Sequence, residues 1–221
     1  RDLRLETISL GTRFSASVKP RLAMDLSFKV AGTVQSLHAV KTPSATRDVQ
    51  AGDTLAKGTV IAQLETRDYE QARSTVRRFL NAGEAAEVVF TRNTTEAINL
   101  VARCFPFRPG DAVLTTDAEH NSNFVPWIEL ARLGRIRHRT VPVAPDGVFD
   151  LEMFARALRR EPVRLVSVFS RSHVTGAALP VAEIVRLAHA SGARVLVDAA
   201  QSSLHERLDV RGLGADFLAL S

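Results

Sequence analysis

The spacing of apolar positions changes once along the chain, near residue 67. Before that point short apolar runs alternate with turn signals, which reads as β structure. Residues 26–30, 33–34 and 60–64 are strand candidates, punctuated by Gly32, Gly52-Asp53 and Lys57-Gly58. Residues 41–48, with Pro43 among polar neighbours, read as a loop. From Tyr69 the period becomes helical and runs to about Ala82. Strand and helix candidates then alternate. Strands are expected at 87–90, 112–115, 136–143, 163–169 and 194–198, with helices at 95–102, 123–133, 150–158 and from Pro180. Asp150 suits a helix cap, and Ile184, Leu187 and Ala188 share one helical face. Such alternation predicts an α/β domain with a mostly parallel sheet, behind a small all-β segment. No internal repeat or low-complexity tract interrupts it.

Composition narrows the classes. Apolar residues make up 45% and charged residues 24%, an ordinary globular balance. No apolar run approaches the roughly 20 residues of a membrane span, and residues 1–10 are too polar for a signal peptide. The net charge of +5 is spread among acids, as in Arg67-Asp68 and Glu206-Arg207. The densest basic group, Arg156, Arg159 and Arg160, reads as a solvated helix face, and nothing supports a nucleic-acid partner. The single cysteine, Cys104, excludes an internal disulfide. It follows the apolar pair Val101-Ala102 and is expected to be a buried structural thiol. The lysines are Lys19, Lys29, Lys41 and Lys57, so residues 58–221 contain none.

Two places carry chemistry. Thr94-Thr95 stands between a strand candidate and a helix, where unsatisfied N–H groups and the helix dipole favour an anion; in isolation a plain helix cap is the favoured reading. Asp198 ends an apolar strand, at the carboxyl edge where α/β sheets hold ligands; in isolation it also fits a turn.

The motifs Thr91-Arg92-Asn93-Thr94-Thr95-Glu96-Ala97-Ile98-Asn99-Leu100-Val101, Glu119-His120-Asn121-Ser122-Asn123, Pro126-Trp127, Val174-Thr175-Gly176, Val197-Asp198-Ala199-Ala200-Gln201 and Ser221 follow in order. As a set they resemble the cysteine desulfurase / class V aminotransferase family over residues 69–221. That family is pyridoxal-phosphate dependent and of fold type I. The resemblance implies that Thr94, Thr95 and Ser221 bind the cofactor phosphate. It implies that Asp198 holds the pyridine nitrogen protonated, which makes the ring an electron sink. It assigns Gln201 to the ring's phenolic oxygen, His120 to stacking on the pyridine face, and a structural role to His205. His173 replaces the family's usual Asn near the ring and bears on substrate orientation. The family serine at Ser221 is followed by Gly-His-Lys, so the chain is expected to stop before the Schiff-base lysine. It is therefore expected to be inactive alone, as an incomplete fold type I large domain. An amino-acid substrate, a homodimer and a cytoplasmic address are implied for the full-length parent.

Residues 26–34 and 49–64 resemble the periplasmic adaptor subunits of efflux pumps, where such a stretch is half of a lipoyl-like β-sandwich. Gly52 and Gly58 would allow positive φ at tight turns there. Lys57 lacks the flanks of a modified carrier lysine and reads as a solvated turn residue. The two resemblances make the chain a junction: an adaptor-like segment 1–68 and an enzyme-like segment 69–221, with the seam near Asp68-Tyr69-Glu70. The rival expectations are a periplasmic adaptor with efflux partners, and a chimeric fragment without function.

Overall fold

The computed structural model describes residues 34–50, 53–64, 66–203 and 205–221. The chain divides into two compact units, residues 1–65 and 66–221. The expected strand at 26–30 and the turn at Gly52 lie outside the described residues.

In the first unit β1 (Val34–Leu37) and β4 (Ala62–Leu64) pair antiparallel, with an irregularity between Val34 and Ser36. A hairpin of β2 (Ala39–Lys41) and β3 (Thr46–Asp48) occupies most of the stretch expected as a loop. Only its turn is irregular, closed by the Thr42 hydroxyl donating to Ala45 O at 2.8 Å. Alternation was too short there to reveal two three-residue strands. Gly58 takes φ +90° beside the exposed Lys57. Arg47 grips Asp53 with two hydrogen bonds and holds its carboxyl down at about 2. None of the described side chains of this unit is buried.

The second unit opens with α1 (Arg67–Phe79), which has no buried residue. The strand expected at 87–90 does not form. Ala85–Glu87 is a 3-10 turn instead, closed by Glu87 N–H on Glu84 O, while the Glu87 carboxylate accepts from Gly83 N–H at 2.9 Å. Val88 is buried while Val89 and Phe90 are exposed, and among the described residues no strand pairs with this stretch. Phe90 packs edge-on against Tyr69.

Thereafter the predicted alternation appears: α2 (Thr94–Cys104), β5 (Ala112–Thr116), α3 (Asn121–Arg132), β6 (Arg137–Val141), α4 (Leu151–Arg160), β7 (Val163–Phe169), α5 (Val181–Ala190), β8 (Arg194–Asp198), α6 (Val210–Leu213) and β9 (Phe217–Ala219). The strands form one five-stranded parallel sheet in the order β6-β5-β7-β8-β9. A parallel sheet needs cover on both faces, and successive side chains supply it by pointing alternately. Leu114, Val166, Val168, Val195 and Val197 pack with Phe154 and Leu158 of α4 and Ile184 and Ala188 of α5. Val113, Leu165 and Leu196 pack with Ile98 and Ala102 of α2 and Trp127 of α3. Each fully buried large aliphatic contributes about 1.5–3 kcal/mol, which keeps the strand ends in register.

Cys104 is exposed, contrary to expectation. The buried residues of α2 are Thr94, Ile98 and Ala102, four apart, and Cys104 lies about 200° around the helix from that stripe. His205 is exposed as well. No helix among the described residues is long and apolar enough to cross a membrane.

The unit boundary at residue 65 and the exposed surface of α1 predict where a protease enters. Limited proteolysis of the chain is expected to cut between Leu64 and Asn81 first, read by mass mapping. Protection of that stretch equal to that of β7 and β8 would contradict a two-part chain.

Candidate active site

Parallel strands end on the same side, so Thr116, Phe169 and Asp198 finish β5, β7 and β8 at one edge of the sheet. The N-terminus of α2 meets that edge. A cleft of about 210 Å³ lies between them. Thr94, Thr95, His120, His173, Asp198, Gln201 and Ser221 all line it. The seven positions read from the sequence are thus brought together from five separate segments.

At one wall, Asn93 caps α2 through its side-chain oxygen, which accepts from Glu96 N–H at 2.9 Å. The first intrahelical bond is Ala97 N–H to Asn93 O. The N–H groups of Thr94 and Thr95 come before it and face the helix's positive end. Thr94 is 6% exposed, and its hydroxyl is buried with no hydrogen-bond partner among the described residues. A buried unmade hydroxyl bond costs about 1–3 kcal/mol, and an anion with free acceptor oxygens would relieve it. Thr95 and Ser122 share a hydroxyl–hydroxyl bond of 2.8 Å, which ties α2 to α3.

At another wall stands Asp198. It is 6% exposed, and one of its oxygens accepts from Ala200 N–H at 3.0 Å. No arginine or lysine pairs with it among the described residues. Burial pushes its carboxyl above the usual range, while His120 and His173 pull it partly back. Those two imidazoles meet edge-to-face with ring centroids 4.8 Å apart. The His120 ring is oriented by Ser122, whose N–H donates to Nδ1 at 3.1 Å. Gln201 and Ser221 are exposed along the rim.

Sequence reasoning missed three contributors. Ser122 orients His120 and Thr95; its place two residues after the histidine was a usable signal. Arg171 also lines the cleft, with its guanidinium donating to Gly176 O at 2.8 Å while its buried Nε lacks a partner. Nothing in the local pattern marked it. Glu119 lies buried beneath the cleft, and only folding reveals what its carboxyl touches. No cluster of metal-ligating side chains occurs among the described residues.

The cleft therefore offers an anion site with an unused hydroxyl and a buried carboxylate without a cation. Both polar demands fit pyridoxal 5′-phosphate, which carries a phosphate at one end and a protonatable ring nitrogen at the other.

Comparison with known proteins agrees with this chemistry. The aminotransferase class-V family profile matches residues 47–221, starting within the first unit. A probable cysteine desulfurase of Pseudomonas aeruginosa is 48% identical over 158 residues, covering 71% of this chain and 39% of that protein. The apo structure of the cysteine desulfurase of Thermococcus onnurineus NA1 superposes with a TM-score of 0.67 at 37% identity, over 71% of this chain and 39% of that one. A structure of the C-DES protein with glycine covalently linked to its PLP cofactor superposes with a TM-score of 0.63 at 26% identity, over 70% and 43%. The chain thus spans about two fifths of the length of the relatives it matches. By the extent of the profile match and the shared parallel sheet, this chain belongs to the class V aminotransferase family.

Proposed function

We propose that residues 66–221 are the cofactor-holding segment of a pyridoxal-phosphate enzyme of cysteine desulfurase type, which acts on an amino acid. The observation that carries this reading is the pairing, in one cleft, of the unpartnered Thr94 hydroxyl with the uncompensated Asp198 carboxylate. Thr94, Thr95 and the α2 N-terminus would hold the phosphate, with Ser221 beside them. Asp198 would hold the ring nitrogen as a cation, which a buried negative charge favours. Gln201 would donate to the phenolic oxygen, and His120 would cover the ring face. His173, next to His120, would meet the substrate. When bound, the cofactor supplies an electron sink for breaking a bond at the substrate's α or β carbon. The protein's contribution is to fix the ring, keep its nitrogen protonated and stand imidazoles beside it to move protons. The working enzyme is read as a cytoplasmic homodimer on the strength of the relatives.

Catalysis in this family's chemistry needs a lysine amine, and residues 58–221 hold none. Arginine cannot take its place, because its guanidinium stays protonated. We therefore read these 221 residues as able to hold the cofactor but not to turn over an amino acid unaided. Cys104 is exposed at the end of α2 and does not line the cleft, so it is no candidate for the sulfur-accepting thiol.

A second reading concerns residues 1–68, of which only 1–46 lie outside the family match. The glycine-spaced strand motif at 26–34 supports an origin in an efflux-adaptor-like, lipoyl-type β domain joined near residue 68. The left-handed Gly58 turn beside an exposed Lys57 accords with it.

Two outcomes test the main reading. Asp198→Ala is expected to weaken pyridoxal-phosphate binding at least tenfold, about 1.4 kcal/mol, in an absorbance titration, and Arg156→Ala on the exposed face of α4 should leave it unchanged. Equal affinities would remove Asp198 from the site. Borohydride reduction with the cofactor, followed by peptide mapping, should give only scattered low-level labelling of Lys19, Lys29, Lys41 and Lys57. One stoichiometric pyridoxyl adduct with accompanying turnover would contradict it.

A further inference from the structure

Glu119 precedes His120 and is 9% exposed, among the most deeply placed acids in the chain. Its carboxyl accepts hydrogen bonds from two different elements. Thr116 Oγ1 donates from the end of β5 at 2.7 Å and Asn123 Nδ2 from the first turn of α3 at 2.8 Å, and Asn123 is itself bound by Ser167 Oγ of β7. The Asn123 amide cannot turn over, because its oxygen already accepts from Ser167 Oγ and Trp127 Nε1. Its nitrogen must therefore face Glu119, and an acceptor must stand there to meet it. Every member of this buried network is satisfied, which is the condition under which such networks fix one geometry.

The network sits directly under the cleft. Asp198 ends β8 close enough to Glu119 for the two carboxyls to repel each other. His120 is the next residue along the chain. Its Nδ1 accepts from Ser122 N–H, so the neutral ring carries its proton on Nε2. We propose that Glu119 is a positioning residue: by tying one turn to β5 and α3 at once, and through Asn123 to β7, it presents the His120 ring, in its Nε2–H tautomer, to His173 and Asp198. Substituting an apolar residue would strand the Asn123 donor and free the turn.

Charge gives the tie a second signature. The ionisable group whose charge bears on Glu119 is Asp198 on β8, which itself faces the imidazoles of His120 and His173; no arginine or lysine pairs with Glu119 among the described residues. Burial is the largest influence and pushes its carboxyl up to about 7, with Asp198 adding to the rise and the Thr116 and Asn123 hydrogen bonds opposing it. The folded protein then binds a proton more firmly than the unfolded chain, whose value is near 4.5. Its contribution to stability is full below about 4.5 and is lost as the pH rises through about 7.

The test is carried out on the whole chain with ¹⁵N-labelled histidine, His120 being assigned by the peak absent from a His120→Gln variant. Wild type and Glu119→Gln should both show the Nε2–H tautomer at His120, since glutamine can still accept from Asn123 and donate to the Thr116 hydroxyl. Glu119→Ala should show mixed tautomers and bind pyridoxal phosphate about tenfold more weakly, the cost of a stranded buried donor. Stability to urea should fall between pH 4.5 and 7 in wild type more than in Glu119→Gln. If Glu119→Ala does not fold, Thr116→Val, which deletes one donor and keeps the shape, should move the tautomer ratio in the same direction. An unchanged tautomer in the folded alanine variant, or in Thr116→Val, would overturn the proposal. So would identical pH dependence of wild type and Glu119→Gln. The inference rests on the pyridoxal-phosphate reading only for its binding arm: if wild type binds no cofactor, that reading fails while the tautomer result still decides the role of Glu119.

Discussion

Everything at the candidate site depends on the parallel pairing of β5, β7 and β8. Because these strands run the same way, the residues that end them emerge at one edge, and a carboxylate at the end of β8 stands beside a turn at the end of β5. The register is held from both faces, by Phe154 and Ile184 on one side and Ile98 and Trp127 on the other. A slip of one residue would turn Leu114, Val166 and Leu196 to the wrong face. The apolar core and the cleft are therefore one construction: the packing that satisfies the sheet is what places Asp198, His120 and Thr94 around a common space.

That space is electrostatically incomplete in a specific way. Asp198 is buried against the preference of a charge for water, with the imidazoles of His120 and His173 facing it. Thr94 holds a hydroxyl that no group among the described residues meets. Structures rarely leave buried polar groups in this condition without a reason, and here the two unmet demands have opposite character. One calls for a cation and the other for an acceptor, which a single bipolar ligand can answer. Beneath them, the Glu119 network shows the contrasting case, where every donor and acceptor is used and the result is rigidity.

Much of this was legible in the chain. The switch from period two to helical spacing near residue 67, the apolar strands 163–169 and 194–198 and the cap at Asp150 follow from local rules and appear in the structure within a residue or two. The positions lining the cleft were legible because Thr94-Thr95, His120 and Asp198 stand at element ends, where backbone groups and side chains are free to face a ligand. What local pattern could not show is tertiary. Residues 88–90 are an apolar run like a short strand, but pairing needs a neighbour, and the Glu87 carboxylate closes a turn instead. Cys104 lies among apolar residues in sequence yet on the open side of α2, because burial follows the stripe of Ile98 and Ala102. The short strand β9 is three residues long and has no periodicity to read. Glu119 looked like any surface acid until β7 and α3 closed around it.

The central claim is that the phosphate and the ring nitrogen of one cofactor molecule answer the two unmet demands of the cleft. A crystal structure of the chain grown with pyridoxal 5′-phosphate tests it most directly. The account predicts the phosphate within hydrogen-bonding distance of Thr94 Oγ1 and the Thr95 N–H, with the ring nitrogen against the Asp198 carboxylate. A cofactor seated elsewhere, or lying in this cleft with its phosphate toward Asp198, would contradict it.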